Sequence, residues 1–227
     1  MNTILWDGAG TLDCNIRSDG KVMTEDTNHK KDSRHQKLMA RQKAAIDSAI
    51  AEANQERGIA LLLTGDGKGK TTSAFGMIMR ALGYGQRVGV VQFIKGTQLS
   101  GEEHFLWDRH PEVRFEQMAT GFTWDTQDRQ GDIAAAERTW AVAEDMLADE
   151  ALDLVVLDEL TYMLAFSYLD EARVLKAISE RPREQSVVVT GRGGGSALRD
   201  IMDTVSEVKE VKHAYRAGLQ ARRGVDF

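Results

Sequence analysis

A glycine-rich loop between an apolar run and a helical pattern constrains this chain more than any other stretch. Ile59 to Leu63 is a short apolar segment, typical of a buried strand. The glycines that follow free the backbone to curl, and apolar residues then recur at helical spacing from Ala74 to Leu82. A strand, a glycine loop and a helix in this order can cradle phosphate groups, because loop N–H groups and the positive helix end attract one anion.

Two side chains at the end of this loop carry the expected phosphate chemistry. Lys70 would neutralise phosphate charge, and the hydroxyl of Thr71 would bind Mg²⁺. The general P-loop pattern begins with a glycine six positions before the lysine, whereas this chain has Thr64 there. This departure indicates a narrower family. We predict nucleotide contacts from Gly65, Asp66, Gly67, Lys68, Gly69, Lys70, Thr71 and Thr72.

A second apolar run ends in two carboxylates. The run Leu152 to Leu157 is followed directly by Asp158 and Glu159. Such a run delivers a carboxylate to the end of a strand, where it meets the P-loop hydroxyl across Mg²⁺. The sequence therefore predicts a metal site formed by Thr71, Asp158 and Glu159.

Two cations follow other apolar runs. Lys95 comes after the run Arg87 to Phe93, and Arg192 after the run Ser186 to Thr190. The alternation of strand and helix patterns predicts an α/β fold with a mostly parallel sheet, and ligands bind where the strands of such a sheet end. Both side chains are therefore candidate nucleotide or substrate contacts, and a solvated side chain is the alternative for each.

Phe122 and Trp124 stand out because they occur in a polar, glycine-containing segment. The segment follows a third short strand pattern, so the same argument places it at the ligand-binding edge of the sheet. Large exposed aromatics are unfavourable in water. They would either fold back into the core or form the wall of a pocket for a flat apolar ligand.

The chain divides into three segments by composition. Residues 1–33 are expected to be a flexible extension, since the part from Ser18 to Ser33 is polar and charged. Residues 34–58 contain a helical pattern, His35 to Arg57, with one narrow apolar stripe, typical of a surface helix, a lid or a dimer contact. Residues 59–227 would form the P-loop domain.

Overall charge and cysteine content exclude several classes of protein. The chain has 35 acidic and 29 Lys or Arg residues, a formal net charge of −6, which argues against a nucleic-acid groove. Cys14 is the only cysteine, so no disulfide framework is expected. No apolar run is long enough for a membrane span, and no signal peptide is recognisable. We expect a cytoplasmic protein.

The sequence resembles the ATP:corrinoid adenosyltransferases of the CobA, CobO and BtuR type. Six motifs of that family occur in order, at residues 64–72, 88–96, 118–124, 157–162, 190–193 and 211–213. Residues 1–33 lie outside the resemblance. The glycine run Gly193 to Gly195 is unusual for the family.

The resemblance implies transfer of the 5′-deoxyadenosyl group of ATP to a Co(I) corrinoid, with release of tripolyphosphate. It also implies a RecA-like P-loop fold, dependence on Mg²⁺ or Mn²⁺, a homodimer and a flavoprotein reductase that supplies electrons. ATP would lie reversed in its cradle, with Lys70 in a catalytic role. Phe122 and Trp124 would lie beside the lower face of the corrinoid, and the helix His35 to Arg57 would close over it.

Two other functions fit the P-loop pattern alone. A P-loop ATPase or kinase would cleave the terminal phosphate bond, and a regulatory protein would bind nucleotide without chemistry. The resemblance favours the adenosyltransferase. It leaves open whether the corrinoid is complete cobalamin or an incomplete precursor such as cobinamide or cobyrinic acid a,c-diamide.

Overall fold

The computed structural model describes residues 21–94, 100–118 and 128–226. The described residues fall into two units, one ending at Gln55 and the other beginning at Glu56. The described part of the first unit contains helix α1 (Lys21–Glu52), whose side chains are exposed from residue 32 onward. The helix begins within the segment expected to be flexible and ends before Arg57, where the sequence placed its end. Lys, Arg, Gln and Ala are good helix formers, so a polar composition is compatible with a solvated helix.

The second unit alternates strands and helices, as the sequence patterns predicted. Its elements are β1 (Ala60–Thr64), α2 (Lys70–Gly83), β2 (Val88–Gln92), α3 (Gly101–Arg109), β3 (Arg114–Gln117), α4 (Arg129–Ala148), β4 (Leu154–Asp158), α5 (Leu160–Ala165), α6 (Glu171–Ser179), β5 (Ser186–Thr190), α7 (Gly195–Asp200), β6 (Thr204–Glu207) and a 3₁₀ helix (Ala214–Ala217).

The strands form one six-stranded sheet in the order β3-β2-β4-β5-β1-β6, and all neighbouring strands are parallel. Strand β5 lies between β1 and β4. The chain must therefore leave the sheet after β1, build β2 to β4 on the far side, and return. This arrangement confirms the predicted α/β fold, a parallel sheet flanked by helices with the P-loop after β1.

Helices cover both faces of the sheet, and alternate residues of each strand face opposite layers. In β4, Val156 packs in a cluster with Phe75 and Ile78 of α2. Its neighbours Val155 and Leu157 belong to the other cluster, which contains helices α4 to α7 and the fully buried Trp140. Strands buried on both faces need continuous apolar runs, which is why the sequence shows them.

The chain that follows β6 lies against the P-loop. Strand β6 ends at Glu207, and Val208 follows it directly. The N–H of Val208 donates to Thr64 O at 2.8 Å, and Val208 O accepts from Gly67 N at 2.7 Å. Both backbone groups of Val208 therefore form hydrogen bonds with the P-loop. In the chain after β5, Gly195, the last residue of the glycine run noted in the sequence, is the first residue of helix α7.

None of the helices in the described ranges 21–94, 100–118 and 128–226 combines the length and apolar composition of a membrane span.

Candidate active site

The P-loop joins β1 to α2 and encloses the Lys70 ammonium. Lys70 is the first residue of α2, only 7 % exposed, and its Nζ donates to Gly65 O at 2.8 Å and Gly67 O at 2.9 Å. Burial lowers the pKa of Lys70, while the nearby carboxylate of Glu159 opposes that shift. The cation is thus held inside the curled loop, at the positive end of a helix, where a polyphosphate would be neutralised.

The glycines of the loop allow close approach of the chain that follows β6. A Cβ at Gly65 would lie 2.4 Å from Val208 O, and the positive φ of 99° at this residue is itself unfavourable for other residues. A Cβ at Gly67 would lie 2.8 Å from the same oxygen. Small residues are therefore required at positions 65 and 67 for two reasons. The loop has to curl around an anion, and it packs closely against Val208.

Thr64, the departure from the general P-loop pattern, has a structural role. Its hydroxyl donates to Gly193 O at 2.9 Å, and its side chain is buried. This bond ties the start of the P-loop to the loop after the neighbouring strand β5. A glycine at position 64 could not make this contact.

Asp158 is the centre of the predicted metal site. Its Oδ1 accepts hydrogen bonds from Thr71 Oγ1 at 3.0 Å and Thr190 Oγ1 at 2.6 Å, and its Oδ2 accepts from Gln92 Nε2 at 3.0 Å. The carboxylate is buried, with the residue 2 % exposed. The structure therefore brings the predicted pair Thr71 and Asp158 into direct contact.

Glu159 follows Asp158 in an unusual backbone conformation. Its φ of 59° lies in the left-handed region, which is rare for residues other than Gly, Asn and Asp and costs about 1 kcal/mol. Burial raises the pKa of Glu159 to about 7, and the charge of Asp158 adds to the shift. Its Oε2 is buried and accepts no hydrogen bond from the described part of the chain. Such an oxygen is expected to find a partner.

A divalent cation fits this donor set. Thr71, Asp158 and Glu159 supply oxygens, the ligands that Mg²⁺ prefers, and the unpartnered Oε2 of Glu159 would gain a partner. Within the described ranges, no cluster of three or more His, Cys, Asp or Glu side chains could hold a metal ion alone. Mg²⁺ is commonly held by one or two carboxylates together with substrate phosphates, so a complete protein cage is not required.

Arg192 reaches the same site from the loop after β5. Its carbonyl accepts from Thr161 Oγ1 at 2.9 Å, which holds this loop against the start of α5. A Cβ at Gly191 would lie 2.0 Å from Thr161 Oγ1, so the close packing requires glycine. Arg192 therefore adds a further cation to the cavity that Lys68 and Lys70 also line.

Most of the residues predicted from the sequence line one cavity of about 430 Å³. Its lining includes Asp66, Gly67, Lys68, Gly69, Lys70, Thr71, Thr72, Asp158, Glu159 and Arg192. Gly65 takes part through its carbonyl, which accepts from Lys70. Lys95, Phe122 and Trp124 lie outside the described residues. The individual roles of all these side chains stay predictions.

Gln92, Thr190 and Asp226 belong to the site and were not among the predicted site residues. Gln92 and Thr190 are the last residues of β2 and β5 and donate to Asp158. A polar residue at the end of a buried apolar run was the available signal. Asp226 also lines the cavity and pairs with Lys68 Nζ at 2.9 Å. Its local sequence gives no indication of this contact.

The comparisons with known proteins agree with this geometry. Residues 56–227 match the model of the family described as ATP:corrinoid adenosyltransferase BtuR/CobO/CobP. A corrinoid adenosyltransferase of Escherichia coli K12 is 52 % identical over 196 residues, covering 86 % of this chain and 99 % of the relative. One from Pseudomonas aeruginosa is 53 % identical over 197 residues, with 87 % and 97 % covered.

The Salmonella typhimurium corrinoid adenosyltransferase CobA is 50 % identical over 196 residues, which cover 86 % of this chain and 99 % of that relative. The family match spans the whole second unit, Glu56–Phe227, and the relatives are covered almost end to end. This chain belongs to the ATP:corrinoid adenosyltransferase family.

Proposed function

We propose that this protein transfers the 5′-deoxyadenosyl group of ATP to the Co(I) centre of a corrinoid and releases tripolyphosphate. The observation that carries the proposal is the identity of about half of all residues to corrinoid adenosyltransferases along nearly their whole length. The cavity around Lys70 supports it, since it combines a P-loop, cations and a carboxylate pair.

The reaction makes the whole triphosphate a leaving group. The electron pair of Co(I) attacks C5′ of the ribose, a cobalt–carbon bond forms, and the bond from C5′ to the α-phosphate oxygen breaks. Negative charge then develops along three phosphates at once. Lys68, Lys70, Arg192 and the loop N–H groups would stabilise this charge, which is the usual way proteins lower such a barrier.

No proton has to be removed from the nucleophile, so the site needs no general base. Lys70 would act by charge alone, from a position fixed by its two carbonyl contacts. Thr71, Asp158 and Glu159 would hold Mg²⁺ or Mn²⁺. The bound ion would neutralise further phosphate charge when present.

The corrinoid side of the site is proposed from the family resemblance. Phe122 and Trp124 would pack beside the lower face of the corrinoid, and Lys95 would contact ligand from the end of β2. An aromatic wall excludes water, which suits a nucleophile as reactive as Co(I). A homodimer, a flavoprotein reductase and closure by the N-terminal helix belong to the same proposal, and the cytoplasmic location stays a prediction.

A product assay separates this function from cleavage of the terminal phosphate. Protein, ATP, Mg²⁺ and chemically reduced cobalamin or cobinamide are incubated anaerobically, and phosphates and corrinoid are analysed. We expect tripolyphosphate and an adenosylated corrinoid in equal amounts. ADP and inorganic phosphate as main products would identify an ATPase or kinase instead, and unchanged ATP would indicate a binding protein.

A further inference from the structure

A row of polar side chains crosses the sheet at the ends of three neighbouring strands. In the strand register, Gln92 of β2 is the partner of Gln117 on one side and of Asp158 on the other. Partnered residues of parallel strands point to the same face of a sheet. The register therefore places two amides beside the carboxylate of the metal site.

Hydrogen bonds join this row to a buried glutamate of α3. Gln117 Nε2 donates to Gln92 Oε1 at 3.4 Å and to Glu103 Oε1 at 2.7 Å, and Gln92 Nε2 donates to Asp158 Oδ2 at 3.0 Å. Gln92 is 1 % exposed and Glu103 is completely buried. The chain of contacts thus runs through the protein interior, where an oriented polar network is strong.

The two carboxylates at the ends fix the orientation of both amides. A carboxylate accepts only, so each glutamine must turn an N–H group toward its acidic neighbour. Gln92 then presents its oxygen to Gln117, and no other orientation satisfies both contacts. The amide of Gln92 therefore meets Asp158 in one defined arrangement.

Glu103 itself is anchored at the start of α3. Ser100 N donates to Glu103 Oε2 at 2.5 Å, and Glu103 N donates back to the Ser100 hydroxyl, forming a capping box. Ser100 and Glu102 line the phosphate cavity. The same network consequently fixes one wall of the cavity as well as Asp158.

We propose that Gln92 is a positioning residue for metal-dependent ATP binding, held in place by Gln117 and Glu103. Gln92 fixes one oxygen of Asp158 so that the other faces Thr71, the pair that would hold the cation. A leucine at position 92 fills similar space but donates nothing, and Asp158 would then sample other side-chain angles. The inference rests on the proposed use of Mg²⁺–ATP in this cavity.

Calorimetric titration with ATP tests the proposal. For each variant, the Kd is measured in Mg²⁺ and again in EDTA, and the ratio gives the gain in affinity due to the metal. Gln92→Leu and Gln117→Leu are the test variants. Glu116→Gln is the matched control, because Glu116 neighbours Gln117 in β3 but faces the other side of the sheet.

We expect the metal-dependent gain to fall at least about tenfold in both leucine variants, the usual effect of removing a group that orients a metal ligand. Affinity in EDTA should stay within about twofold of wild type, and Glu116→Gln should keep the full gain. Thermal unfolding identifies a variant that fails to fold. If Gln92→Leu does not fold, the test depends on Gln117→Leu, because the half-buried Gln117 tolerates replacement better than Gln92.

A folded leucine variant that retains the full gain would overturn the inference. Equal weakening of ATP binding in Mg²⁺ and in EDTA would overturn it too, since that pattern indicates general damage to the cavity. The function is tested separately on the wild-type protein. Metal-dependent ATP binding without an adenosylated corrinoid would refute the proposed function while leaving the positioning role intact.

Discussion

Thr71 Oγ1 lies 3.0 Å from Asp158 Oδ1, although 87 residues separate the two positions in the chain. Thr71 is in the first turn of α2, and Asp158 is the last residue of β4. Strand β5 runs between β1 and β4, and its last residue, Thr190, contacts the same carboxylate oxygen at 2.6 Å. Three parallel strands that end at one edge therefore assemble the proposed metal site before any ligand arrives.

Lys70→Ala should weaken ATP binding and slow adenosyl transfer. The variant removes the buried cation that we expect to neutralise the leaving phosphates, so a loss of at least about tenfold in rate is expected. Titration with ATP and the cobalt–carbon product assay measure the two effects. Lys176→Ala, on the exposed face of α6, is the control and should retain activity. Unchanged ATP affinity in Lys70→Ala would remove the lysine from the phosphate site.

Glu159 should make the stability of the metal-free protein depend on pH. Its folded pKa of about 7 lies above the ordinary value of 4.5 because burial disfavours the charged form. A raised folded pKa means that the stabilising contribution is complete below about pH 4.5 and is lost as the pH rises through 7. The linked change is at most about 3 kcal/mol.

Glu159→Gln imitates the protonated side chain and should abolish this dependence. In EDTA and without nucleotide, the variant should unfold at a higher temperature than wild type at pH 8 and at the same temperature at pH 5. Differential scanning calorimetry at the two pH values measures this. An equal difference at both values would mean that Glu159 does not titrate in this range.

Asp226→Asn should tighten ATP binding. Asp226 pairs with Lys68 at 2.9 Å within the cavity, and a hydrogen bond from the N–H of Arg222, together with the Lys68 pairing, holds the pKa of its carboxyl below the usual value. An ionised carboxylate there repels the triphosphate and competes for Lys68. We expect the Kd to fall about two- to fivefold, and the difference from wild type should shrink as salt is added. A weaker affinity would indicate that Asp226 supports binding instead.

Trp124→Ala tests the corrinoid side of the proposal. If the side chain walls the corrinoid site, turnover with cob(II)alamin and a reductant should fall while ATP affinity stays the same. Steady-state kinetics with each substrate varied in turn, together with ATP titration, separate these effects. Turnover equal to wild type would remove Trp124 from the site. Phe122→Ala should behave like Trp124→Ala, since both come from the same motif.

The sequence by itself determined the P-loop and the two carboxylates of the proposed metal site. Lys70 and Thr71 follow a strand and a glycine loop at the start of a helix, and Asp158 ends another strand. Strands and helices can be recognised in a sequence from the spacing of its apolar residues. The same reasoning identified Arg192, because a strand end is visible as the end of an apolar run. Each of these residues lines the cavity that the fold creates.

Only the tertiary structure decided which strand ends become neighbours. Gln92 meets Gln117 and Asp158 through the order and register of β3, β2 and β4, and Asp226 reaches Lys68 from the far end of the chain. The residue type of Glu159 likewise does not predict its left-handed backbone conformation. Strand order and register depend on side-chain packing between segments that are distant in sequence. The spacing of apolar residues within one segment therefore does not predict them.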